Sequence, residues 1–134
     1  MNYVLSSLNV QGRIPENGAA VKTIVTSEIG RDIAAKYKVK TFDTLTGFKY
    51  IAELMQKFEE KGDYSFLFGY EESYGYLTGT FVRDKDAVIA SMLICEMAAY
   101  YKRNGKTLLD VLNDIYAEHG YYIDETVSLS FSGA

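Results

Sequence analysis

The chain has 134 residues, 48% of them hydrophobic and 24% charged, a composition that fits one ordinary globular domain with its own core and excludes a disordered segment. Fourteen basic against eighteen acidic residues leave a net charge of −4, which excludes a general electrostatic grip on nucleic acid or on a membrane surface. Cys95 is the only cysteine, so an internal disulfide and a thiolate metal cluster are excluded as well.

Residues 1–20 carry Gly12, Pro15, Glu16, Asn17 and Gly18 after a helix-compatible piece at Tyr3 to Leu8, and read as a lead-in. The β-branched run Val21 to Val25 predicts a strand. Ser27-Glu28 then supplies an N-cap hydroxyl and a first-turn acid for a helix with Ile29, Ile33, Ala34 and Tyr37 on one face. A second strand–helix unit follows: a short run from Val39 to Phe42, the turn at Thr46-Gly47, then Phe48, Ile51, Ala52, Met55 and Phe58 at helical spacing, closed by Gly62-Asp63. Tyr64 to Phe68 predicts a third strand, and its unalternated Phe66-Leu67-Phe68 predicts burial on both faces, as in a central strand.

From Asp84, the expected N-cap, to about Tyr101 a helix is predicted whose Val88, Ile89, Met92, Leu93, Cys95, Met97 and Ala98 leave almost no polar face, so it is expected to be the most buried helix. The apolar stretch at residues 87–100 is broken by Ser91 and Glu96 and is too short for a bilayer span. Asn104-Gly105 ends this helix, and Thr107-x-x-Asp110 is a capping box for a last helix that Gly120 ends and whose apolar face is Leu108, Leu112, Ile115 and Tyr116. The tail from Tyr121 alternates Val127, Leu129 and Phe131 with Ser128 and Ser130, the period of a half-exposed strand. Alternating strands and helices predict an α/β fold, a three-layer α/β/α domain around a mixed, mainly parallel sheet. The N-terminus has no basic-then-apolar leader, and a cytoplasmic location is expected.

The segment Gly69-Tyr70-Glu71-Glu72-Ser73-Tyr74-Gly75-Tyr76-Leu77 places two carboxylates and a hydroxyl between glycines directly after the third strand. A carboxylate accepts hydrogen bonds from two vicinal hydroxyls at once and a serine gives or takes another, the array that a sugar presents. If the backbone is extended here, Glu71 and Ser73 share a face and Glu72 points the opposite way. The plainer reading is a solvated acidic turn. At Thr46-Gly47 a strand turns into a helix, where free backbone N–H groups and the helix dipole suit a phosphate oxygen, although threonine is also an ordinary N-cap. Arg83 and Lys85 flank Asp84 shortly after the loop, and Lys49 reads as a solvated helix charge. Tyr70, Tyr74 and Tyr76 fit either stacking on a sugar face or packing against the apolar helix.

Three blocks in matching order and spacing resemble the α-D-phosphohexomutases, the phosphoglucomutase and phosphomannomutase superfamily: Lys22 to Ser27, Thr44 to Lys49, and Gly69 to Leu77 continuing into Arg83-Asp84-Lys85-Asp86-Ala87. The resemblance spans roughly residues 20–120, is to the third of that family's four domains, and its tyrosines look most like the bacterial phosphoglucomutase branch. It implies that residues 21–134 are a sugar-binding domain, with the tail from 121 leading toward a fourth domain. It assigns Glu71 and Ser73 to sugar hydroxyls, places Thr46 with Gly47 at the substrate, and gives Lys85, with Arg83 beside it, a contact to the bisphosphorylated sugar. The expected partners are a hexose phosphate and the other domains of the same polypeptide, with no nucleic acid and no membrane.

The family's phosphorylated serine in a Ser-His-Asn-Pro loop has no counterpart, because the only histidine is His119 and the only proline Pro15. Its magnesium loop of three spaced aspartates and its Arg-Ser-Gly-Thr phosphate clamp are also missing. The resemblance therefore implies a domain without its own nucleophile or metal, magnesium and a glucose 1,6-bisphosphate intermediate belonging to the intact enzyme. Phosphomannomutase and phosphopentomutase preferences stay open, as does a stand-alone sugar-phosphate-binding module without chemistry.

Overall fold

The computed structural model describes residues 1–125, 127, 130 and 131. Its elements are α1 (Asn2–Val10), β1 (Gly18–Thr23), α2 (Ile29–Lys36), β2 (Lys40–Thr44), α3 (Phe48–Lys61), β3 (Ser65–Tyr70), β4 (Tyr76–Thr78), α4 (Ala87–Arg103) and α5 (Leu108–His119). The sheet order is β2-β1-β3-β4, with β1 parallel to both neighbours and β4 antiparallel to β3. This is the expected three-layer α/β/α arrangement around a mixed, mainly parallel sheet.

The strand buried throughout is β1, all six of whose residues are buried. Small residues start it: Ala19 and Val21 meet Phe48, Ile51, Met55 and Phe58 of α3 on one face, while Ala20 meets Leu5, Ala34 and Val39 on the other. The strand thus begins three residues before the β-branched run, and Ile24 and Val25 lie beyond it, exposed. Residues 1–20 are also not a mere lead-in. They form α1 and the start of β1, and Leu5 is fully buried because it fills the space beside Ala20 and Ala34.

The pairing of β1 with β3 shifts between Ala19 and Ala20: Ala19 opposes Phe66, Ala20 opposes Phe68, and Leu67 is the extra residue. Such a bulge reverses the in–out alternation beyond it. Phe66 packs with α3, Leu67 packs with the α1–α2 cluster, and Gly69 returns to the α3 face against Ile51. Tyr70 lies on the α2 face, its hydroxyl resting where a Cβ on Gly30 would be.

Three helix expectations change. α2 starts from Glu28 with no side-chain cap, and Ser27 Oγ is buried without a hydrogen-bond partner, so Ser27 does not supply the expected N-cap hydroxyl. The other two concern α4. α4 contains no buried residue, against the expectation that it would be the most buried helix. It packs beside the three-residue edge strand β4 and over α1, leaving a groove of about 190 Å³, and its other apolar side carries Val88 at 82% exposure. Its N-cap is Asp86, not Asp84: the Asp86 carboxylate accepts from the N–H groups of Val88 and Ile89, while Asp84 turns back to accept from the Lys85 N–H. The Thr107 and Asp110 capping box of α5 forms as expected, and Val111 is that helix's buried contact. The strand expected at the tail involves Ser128 and Leu129, which lie outside the described residues; Val127, Ser130 and Phe131 belong to no element.

Candidate functional site

The three parallel strands β1, β2 and β3 end at Thr23, Thr44 and Tyr70, so the segments after them gather at one edge of the sheet. In open α/β sheets that carboxyl edge is where ligands sit. The segment after β3 is a tight turn and not the extended stretch considered from sequence. The Glu71 N–H donates to the Gly75 carbonyl at 3.0 Å, and Tyr74 takes a left-handed conformation at φ 63°. The reason is the antiparallel return of β4, which pairs Tyr70 with Tyr76 and leaves only five residues to reverse the chain.

The turn separates the two carboxylates. Glu71 folds inward and is 7% exposed, whereas Glu72, Ser73 and Tyr74 are on the outside. Glu71 and Ser73 therefore do not share a face by strand alternation. The Glu71 side chain lies beneath Gly75, where a Cβ would come within 2.5 Å of Oε1 and 2.6 Å of Lys85 Cδ; only glycine fits between them. Lys85 Nζ stands 3.9 Å from Glu71 Oε1, 3.2 Å from Asp84 Oδ1 and 5.6 Å from the Phe48 ring centre. The backbone and ammonium of Lys85 hold the Asp84 carboxyl below its usual range. A bond from the Asp86 N–H to the Tyr76 carbonyl at 3.0 Å ties this segment to β4.

Phe48, 3% exposed, anchors the first turn of α3 in the core and brings Thr46 and Gly47 to the same corner. Gly47 is the N-cap, at φ 118°, and no side chain caps the helix, so Thr46 does not play the ordinary capping role. The structure thus joins Glu71, Lys85 and the Gly47–Phe48 helix start, with Ser73 and Thr46 exposed on the rim. Arg83 is directed elsewhere: its guanidinium pairs with Glu59 of α3 and donates to the Thr80 carbonyl. Lys49 is exposed, as expected.

The sequence reading gave no role to the charges beneath the neighbouring loop. Lys22 is fully buried, and its ammonium meets Glu28 Oε1 at 2.7 Å, Asp43 Oδ1 at 3.2 Å and the Thr26 carbonyl at 2.9 Å. Arg31 closes the group by pairing with the same two acids. Lys22 and then Arg31 hold the Glu28 carboxyl below its ordinary value. The available signal was a lysine following the small and apolar residues Gly18 to Val21 of its strand, with one acid, Glu28, after the end of that strand and another, Asp43, inside the next.

Fold and geometry together define an α/β domain with a polar corner at the carboxyl edge of its sheet. A sequence model described as phosphoglucomutase/phosphomannomutase, alpha/beta/alpha domain III, matches residues 2–119, and the chain belongs to that family. It is 40% identical over 133 residues to a phosphoglucomutase of Staphylococcus haemolyticus, covering 99% of this chain and 23% of that protein. A phosphoglucomutase of Staphylococcus aureus strain N315 is 40% identical over 113 residues, covering 84% of this chain and 20% of its own. A crystal structure from Thermus thermophilus, assigned as a phosphomannomutase, superposes with a TM-score of 0.66 at 24% identity, covering 89% of this chain and 25% of that one. The chain thus spans about a fifth to a quarter of the length of these relatives.

Proposed function

We propose that the chain is the sugar-recognition domain of a phosphoglucomutase that interconverts glucose 1-phosphate and glucose 6-phosphate through glucose 1,6-bisphosphate. The observation that carries this reading is the convergence of Glu71, Lys85 and the uncapped start of α3 at the carboxyl edge of the sheet. Glu71 and Ser73 grip sugar hydroxyls, while Lys85 and the backbone at Thr46-Gly47 meet a phosphate. Arg83, held by Glu59, has at most a supporting part.

The domain's contribution is positioning and not bond making. A bisphosphate intermediate must present each end in turn to the phosphorylated serine of another domain. Contacts to hydroxyls common to both orientations keep it bound in register during that exchange. The Lys85 ammonium, half exposed beside Glu71, supplies positive charge at this corner of a net-acidic chain. Among the described residues no group of three or more His, Cys, Asp or Glu side chains converges as a metal site, so these residues do not fit the magnesium of the intact enzyme, and no step here depends on it. No helix among them is long and apolar enough to cross a membrane, and the proposed location is the cytoplasm.

Titration of the isotope-labelled chain with glucose 1-phosphate tests the reading. Amide shifts confined to residues 45–48, 71–76 and 83–86 are expected; shifts centred on the groove under α4 would refute it. Micromolar affinity would favour a stand-alone regulatory module over one domain of a mutase.

A further inference from the structure

Glu72, the outer carboxylate of the turn, is held by a part of the chain that the sugar reading does not use. Its Oε2 accepts a hydrogen bond of 2.8 Å from Thr23 Oγ1 at the end of β1. Thr23 Oγ1 also lies 2.6 Å from Thr26 Oγ1. A threonine hydroxyl has one proton, and that of Thr23 goes to Glu72, so Thr26 is the donor in the second bond. The two hydroxyls form a directed chain from Thr26 through Thr23 to Glu72.

Both threonines are fixed from below. Thr23 is fully buried, and the Thr26 N–H donates to the Thr23 carbonyl at 3.1 Å. The Thr26 carbonyl accepts from Lys22 Nζ, which Glu28 and Asp43 hold in turn. Among the described residues Glu72 has no ion-pair partner. Its tie to the domain is therefore this hydroxyl chain, rooted in the strand buried on both faces.

We propose that Thr23 is a positioning residue for sugar recognition, acting through Glu72. Glu72 stands between Glu71 and Ser73, so anchoring its carboxylate sets the backbone from which both neighbours project. The inference rests on the reading of Glu71 and Ser73 as the sugar grip. It divides the two acids: Glu71 serves the ligand and Glu72 tethers the turn.

The test uses the complete polypeptide carrying this chain. Thr23→Val keeps β-branched shape but removes the hydroxyl, and should raise KM for glucose 1-phosphate about tenfold while lowering kcat less than about threefold. Hydrogen exchange of the Glu71 amide should speed up by a similar factor, with exchange along β1 unchanged. Thr23→Ser should restore both readouts. Thr23→Val combined with Glu72→Ala should be no worse than the worse single variant, because both cut one tether. Unchanged Glu71 exchange in Thr23→Val, or effects of the two substitutions that multiply, would overturn the tether even if Glu71→Gln still impairs turnover. Faster Glu71 exchange with unchanged KM would overturn the positioning role, and with Glu71→Gln equally silent the sugar reading would fall too.

Discussion

Replacing Glu71 by glutamine in the complete polypeptide keeps the side chain's shape and one acceptor but removes its charge. In the unliganded domain the loss is small. At 3.9 Å from Lys85 Nζ, an effective dielectric of about 20 gives a bare attraction of about 4 kcal/mol. Lys85 is 48% exposed and shared with Asp84, so solvent screening reduces the pair to about 1 kcal/mol or less. Removing a carboxylate that is 7% exposed also relieves a desolvation cost of the opposite sign. The midpoint of urea unfolding should therefore barely move. With sugar bound the balance differs, because charge-assisted hydrogen bonds to hydroxyls become neutral ones, a loss of about 1.5–3 kcal/mol or roughly ten- to hundredfold in kcat/KM. A coupled assay for glucose 6-phosphate reads this directly. Glu72→Gln, which still accepts from Thr23, should be milder. A change below about twofold for Glu71→Gln, or an equal or larger effect for Glu72→Gln, would refute the assignment of Glu71 to the sugar.

The 134-residue chain alone should melt cooperatively yet show no turnover of glucose 1-phosphate in a preparation free of host mutase, because it has no Ser-His-Asn-Pro nucleophile loop; measurable turnover would contradict this. Its affinity for hexose phosphates by calorimetry should be about millimolar or weaker, since most binding groups of a full site lie elsewhere. Tyr70→Phe should stabilise the chain by about 1 kcal/mol in urea unfolding, because the Tyr70 hydroxyl is buried without a hydrogen-bond partner, and burial pushes its pKa up; clear destabilisation would mean a partner exists. Gly30→Ala should cost about 1–3 kcal/mol, part of it recovered in the Tyr70→Phe background, because the added Cβ would lie 1.7 Å from that hydroxyl. Glu28, held below its ordinary 4.5 mainly by Lys22, contributes stability that is present above that value and lost as pH falls through its lowered folded value. Glu28→Gln should accordingly flatten the acid side of the stability–pH curve.

Local patterns in the chain determined the three parallel strands, the faces of α2 and α3, the capping box of α5 and the order of the blocks that carry the family likeness. Each depends on residues close in sequence, where side-chain period and turn chemistry act directly. The face on which Glu71 emerges was decided in three dimensions. The Leu67 bulge in β3 arises from pairing with β1, and it turns Glu71 toward Phe48 and Lys85 instead of toward α2. The antiparallel return of β4 then closed residues 71–75 into a turn, hiding one acid and exposing the other, which alternation along an extended strand could not represent. The apolar pattern of α4 likewise suggested deep burial, but burial depends on what lies opposite, and a three-residue edge strand covers too little of a seventeen-residue helix. The Lys22 cluster and the Thr23–Glu72 tether join residues up to forty-nine positions apart, and only the stacking of β2, β1 and β3 brings their partners within hydrogen-bond reach.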